Sequence, residues 1–98
     1  MNDIQKVSDI TYQDLAEYIR LDEISQEDIN TLNNMKVNAE TFIKSYTGRT
    51  NLDEFGDFVE VVFVLVQDMW DNRSLYVDKT NLNFVTEAIL GVHRVNLL

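Results

Sequence analysis

Between Ile29 and Tyr46 the chain places Ile29, Leu32, Met35, Ala39, Phe42, Ile43 and Tyr46 at intervals of three and four, the period of an amphipathic helix. Ser25 and Asp28 ahead of this stripe form a start signal, with Glu27 in the first turn, where the helix dipole favours negative charge. Gly48 stands where a left-handed residue would end the helix. The spacing therefore predicts a rod of about 21 residues, ~31 Å long. The 98 residues include no proline and three glycines, so few breakers interrupt the chain, which favours long helices over a many-turned sheet.

The stretch from Phe55 to Asn72 poses a conflict between propensity and length. Phe58, Val59, Val61, Val62, Phe63, Val64, Leu65 and Val66 are residues of strands. Apolar character continues through Met69 and Trp70 without a turn signal, however, and Asp57, Glu60, Gln67, Asp68 and Asp71 leave only a narrow polar stripe. A helix apolar over most of its circumference is buried on several sides, so this stretch is expected to be the central helix, capped by Asn51 or Asp53. Thr11 with Asp14 signals a short first helix, with Leu15, Tyr18 and Ile19 on one face and an end near Arg20–Leu21. Leu75-Tyr76-Val77 reads as extended and Asp78-Lys79-Thr80-Asn81 as a turn. Asn81 or Asn83 then starts a last helix with Val85, Ala88, Ile89 and Val92 on one side. Residues 1–10 read as partly loose, and 94–98 as an apolar tail that is more often tied down than left in water. The expected fold is all-α: one domain over 1–98, a small four-helix bundle with a long second helix and a buried, valine-rich third.

Composition narrows the function. Lys and Arg number 8 against 17 Asp and Glu, a net charge of −9. That sign opposes binding driven by counterion release from DNA, and docking on anionic membranes. There are no cysteines and one histidine, which rules out disulfides, thiolate-bound zinc and any zinc site with two histidines from one chain. Asp53, Glu54 and Asp57 cluster without the spacing of a calcium loop, and are read as negative charge at the start of the central helix. No nucleophile elbow or phosphate loop occurs. The chain is expected to have no catalytic residues, metal or cofactor, and not to be an enzyme. The first 30 residues are acidic and lack an apolar core segment, so no secretory signal is expected. The longest apolar run, Val61–Val66, is far below the ~20 residues that span a bilayer. The reading is a soluble protein made in the cytoplasm. Trp70 is expected in the core. Arg73, three residues on, could pair with Glu60, Asp68 or Asp71, or with an acidic group of a partner chain. Ten aromatics are many for such a core, and a surplus at a contact surface is expected.

The order of these segments resembles the head-tail connector (adaptor) family of bacteriophages. Members begin with a short helix carrying a run like Leu15-Ala16-Glu17-Tyr18-Ile19-Arg20-Leu21-Asp22. A long helix then ends like Tyr46-Thr47-Gly48-Arg49, a central helix ends like Trp70-Asp71-Asn72-Arg73, and a short helix and tail follow, as from Asn83 to Leu98. The likeness covers nearly the whole chain from about Thr11. Many members carry a proline before the central helix, which is absent here. The resemblance implies a homo-oligomeric ring beneath the portal protein. Such a ring would extend the DNA channel without binding DNA specifically, serve as a platform for the next neck or tail protein, and act in head completion and genome retention. It implies location in the virion neck, and in host cytoplasm during assembly. Arg49, Arg73, Val95, Asn96, Leu97 and Leu98 are the candidate contact residues, across a heterologous interface. The rival reading is an acidic inhibitor or DNA mimic that binds a basic site on a host protein, which accounts for the charge but not for the order of motifs.

Overall fold

The computed structural model describes residues 4–95, and these are helix and connecting turn throughout. Local side-chain chemistry sets the helix starts. Thr11 Oγ1 accepts the Asp14 N–H at 3.2 Å while the Asp14 carboxylate accepts the Thr11 N–H at 2.8 Å, opening α1 (Tyr12–Tyr18). Ser25 and Asp28 repeat this reciprocal capping at 3.1 Å in both directions, opening α2 (Gln26–Thr47), 22 residues long. Each box satisfies two backbone donors that a helix start leaves orphaned.

The central helix, α3 (Asp57–Asp71), begins differently from expectation. Gly56 is its N-cap and offers no side chain. Asn51 instead accepts from Asp53 N–H and starts a separate 3-10 turn, Leu52–Glu54, whose Leu52 is buried. A short turn is thus inserted between the predicted cap and the helix. From Phe58 to Met69, α3 buries Phe58, Val59, Val61, Val62, Phe63, Leu65, Val66 and Met69. It packs against α1, α2, α4 (Phe84–His93) and a 3-10 turn at Val7–Asp9. Each such side chain contributes about 1.5–3 kcal/mol when fully removed from water, so burial on several sides overrides the strand propensity of the valines. The molecule measures 47 × 29 × 20 Å, its long dimension suited to the length of α2.

Two segments depart from the sequence reading. Val7 and Ile10, in the stretch read as loose, are buried, and the Ser8 N–H donates to Asp53 Oδ1 at 3.0 Å. Residues 75–77 form no strand; bends lead into the 78–81 turn, where Asp78 Oδ1 accepts from the Thr80 N–H and hydroxyl and Oδ2 from Asn81. Asn83 caps α4, accepting from Val85 and Thr86 N–H.

The ends of α1 and α3 share one device. Leu21 N–H donates to the Ala16 carbonyl and Arg20 N–H to Glu17; Ser74 N–H donates to Met69 and Arg73 N–H to Trp70. This is the Schellman pattern, and it places Arg20 at φ 64° and Arg73 at φ 53°, both left-handed. Gly48 ends α2 at φ 76°, with its N–H on the Lys44 carbonyl. The Trp70–Arg73 tetrapeptide is therefore a helix stop built with arginine at a position that sterically favours glycine.

Candidate functional site

Arg49 is half-buried and tied to three parts of the fold. Its Nε donates to the His93 carbonyl, its guanidinium lies 4.6 Å from the Phe55 ring centroid, and Nη1 stands 3.8 Å from Glu54. It joins the end of α2, the approach to α3 and the end of α4. His93 completes this clasp. Its ring stacks on Phe55 at 4.2 Å, meets Phe58 edge-on at 5.1 Å, and places Nε2 2.9 Å from Asp57 Oδ2. The three acids of the 53–57 cluster thus each hold a separate contact: Asp53 with Ser8, Glu54 with Arg49, Asp57 with His93. The Ser8 hydrogen bonds hold the Asp53 carboxyl below its ordinary range.

Arg73 is exposed and forms no ion pair among the described residues. It borders a groove of about 250 Å³ between the first half of α2 and the end of α3, lined by Met35, Trp70 and Leu75 together with Glu27, Asp28 and Thr31. Trp70 is half-buried, one side against the core and the other toward this groove. Asn38 donates to the Leu75 carbonyl, which ties the segment after α3 to α2. Val95 is tied to the opposite end of the molecule, where its N–H donates to the Thr47 carbonyl at 2.7 Å. The remaining candidates, Asn96, Leu97 and Leu98, lie outside the described residues. The structure therefore does not bring Arg49, Arg73 and Val95 together. Arg49 and Val95 belong to one end and Arg73 to the other.

The surface that the sequence reading missed lies on α4. The helix was expected to gather Val85, Ala88, Ile89 and Val92 on one side; only Ile89 of these is half-buried, and Thr86 and Leu90 are the buried positions. Phe84 is 82% exposed, Val92 79% and Val85 58%, with Ala88 exposed between them. Phe84, Ala88 and Val92 recur every four residues, so they form one apolar stripe facing outward. Tyr76, in the preceding loop, is 77% exposed. On the other side of the loop, burial first, and then the neighbouring Asp71 and Asp78 charges, raise the Asp68 carboxyl above its ordinary value. No group of three or more His, Cys, Asp or Glu among the described residues could hold a metal ion. No helix among them is long and apolar enough to cross a membrane.

No family model, curated protein or solved structure matches the chain.

Proposed function

We propose that this protein is a structural subunit, the head-tail connector of a bacteriophage neck, which forms a ring beneath the portal. The observation that carries the reading is the outward apolar face of α4, with Phe84 and Val92 about four-fifths exposed on a short helix of an acidic protein. Large side chains left in water on one contiguous face mark surfaces that another macromolecule covers. The connector in particular is supported by the order of the Tyr46–Arg49 and Trp70–Arg73 segments. Each supplies a helix stop, one clasping the fold through Arg49 and the other presenting Arg73 outward.

In this reading the bundle is a rigid wedge and its acidic surface suits a channel wall past which DNA slides without adhering. The α4 face supplies contact area to neighbouring subunits or the portal. The test is co-assembly. Purified chain mixed with portal rings is expected to add a ring of density visible by electron microscopy, and Phe84→Asp with Val92→Asp is expected to remove it while helical circular dichroism persists. Absence of the polypeptide from purified virions of the phage encoding it would overturn the proposal.

A further inference from the structure

The apolar core is distributed unevenly along the chain. Among the described residues every fully buried apolar side chain but one lies between Val7 and Met69; the exception is Leu90 of α4. In the span 77–92 only Thr86 and Leu90 are buried, with Val77, Leu82 and Ile89 half-buried and the remaining residues exposed. The same span stands off α3 in two places. A cleft of about 240 Å³ is lined by Leu65 and Met69 on the side of α3 and by Val77 and Leu82 on the side of the span. A second, of about 210 Å³, is lined by Val61 and Val64 on one side and by Val85 and Ile89 on the other. Side chains that face a cleft forgo the dispersion contacts of a packed interface.

Polar ties follow the same division. The side-chain hydrogen bonds of the span stay local: Asp78 with Thr80 and Asn81, and Asn83 with Val85 and Thr86. The ties to the body of the molecule sit just outside it. Asn38 holds the Leu75 carbonyl at one end. At the other end Arg49 holds the His93 carbonyl, Asp57 the His93 ring and Thr47 the Val95 N–H. The span is thus pinned at both ends and lightly packed between them.

We infer that residues 77–92 form a flap that lifts from α3 as one unit while α1, α2 and α3 stay folded. Lifting takes a single fully buried apolar side chain, Leu90, out of the core, whereas opening the body exposes all the others. Openings of low free energy are drawn from segments with few buried apolar contacts. A helix of 10 residues is marginal without its packing partner, so α4 loses its helical hydrogen bonds on lifting and its amides report the event. The motion uncovers Val61, Val64, Leu65 and Met69 of α3, which line the two clefts. It belongs to the isolated chain and does not depend on the connector reading.

Native-state hydrogen exchange of the full chain, resolved by residue, tests the flap. The Ala88, Ile89 and Leu90 amides are expected to exchange together. Relative to intrinsic rates they should exchange at least about tenfold faster than those of Leu32–Ile43 and Val61–Val66, and with a shallower urea dependence. Ser25→Ala and Thr11→Ala each remove a cap from the body, and should speed the body amides about fivefold while leaving the three α4 amides unchanged. Asn83→Ala removes the cap of α4 and should speed both sets about fivefold, because the cap is lost in either opening. The chain has no cysteine, so Thr86→Cys supplies one buried thiol, which is expected to react with a thiol reagent at the free energy of the α4 amides. The flap is overturned if the α4 amides share the protection and urea slope of the body, or if the body variants speed both sets equally. It is overturned too if Asn83→Ala leaves the α4 amides unchanged, if the thiol reacts only at the rate of the body, or if the three amides exchange at separate free energies, which would mark fraying of α4 in place.

Discussion

Arg73→Gly is expected to stabilise the isolated protein, although it deletes a side chain that the proposed connector reading places at a contact. Arg73 sits at φ 53°, where an L-residue with a Cβ is disfavoured by about 1–2 kcal/mol. Glycine adopts that conformation without the clash but loses more backbone freedom on folding, which returns about 0.5–1 kcal/mol. The exposed guanidinium forms no ion pair among the described residues, so little native contact is lost. The net gain is ~0.5–1 kcal/mol, a rise in urea midpoint of roughly 0.3–0.7 M at a slope near 1.5 kcal/mol/M, or about 2–8 °C in Tm. Arg73→Ala keeps the Cβ and should stay within ~0.5 kcal/mol of wild type, so the glycine–alanine difference isolates the backbone term. Gly48→Ala is the mirror experiment. Gly48 has φ 76°, and an added Cβ would stand 3.6 Å from Val95 Cβ, an ordinary contact. Only the strain then remains, and a loss of about 0.5–1 kcal/mol is expected. The reasoning is refuted if Arg73→Gly destabilises at constant slope, or if alanine and glycine at position 73 are equally stable. Under the proposed connector reading, both Arg73 variants are expected to lower assembly with portal rings, opposite in sign to the stability change of the glycine variant.

Arg49→Ala removes the donor to the His93 carbonyl and the contact on Phe55, and is expected to cost about 1–2 kcal/mol by urea titration; Arg49→Lys should recover only part, because an ammonium lacks the planar fork. Thr11→Ala and Ser25→Ala each delete a capping box and should cost ~1 kcal/mol apiece, summing in the double variant because the boxes share no partner. Asp68→Asn is expected to stabilise the fold at neutral pH. Its carboxyl is raised by burial and by Asp71 and Asp78, so the folded state holds the proton more tightly than the unfolded chain, and ionisation opposes folding. The gain from asparagine should therefore be full above the folded value, shrink as pH falls through it, and vanish below the ordinary carboxylate range. A gain that persisted at low pH, measured by denaturation across pH, would contradict this.

How far the fold could be read from the sequence depended on where structure is decided locally. The boxes at Thr11–Asp14 and Ser25–Asp28, the stripe of α2 and the left-handed stop at Gly48 each follow from residues within one or two turns of one another, and all were legible. The start of α3 was not. Asn51 is a good cap, and nothing within its own turn reveals that Leu52 must be buried first and the chain must turn again before Gly56. The helix stop at Asn72-Arg73 was legible as a segment but not as a left-handed arginine, since propensity favours glycine or asparagine there. α4 fails for a different reason. Phe84, Val85, Ala88, Ile89, Leu90 and Val92 surround the helix, so periodicity cannot choose which side faces inward. The choice is made at long range, by His93 stacking on Phe55 and reaching Asp57, which turns Thr86 and Leu90 into the core. A helix of 10 residues laid on one side of α3 can bury only part of its circumference. Of the stripe that reads as core from the sequence, Val85, Ala88 and Val92 are for that reason left outside and only Ile89 is half-buried. The ambiguity of α4 and the exposure of Phe84, Val85 and Val92 thus have the same physical origin: more apolar side chains than one face of the helix can bury.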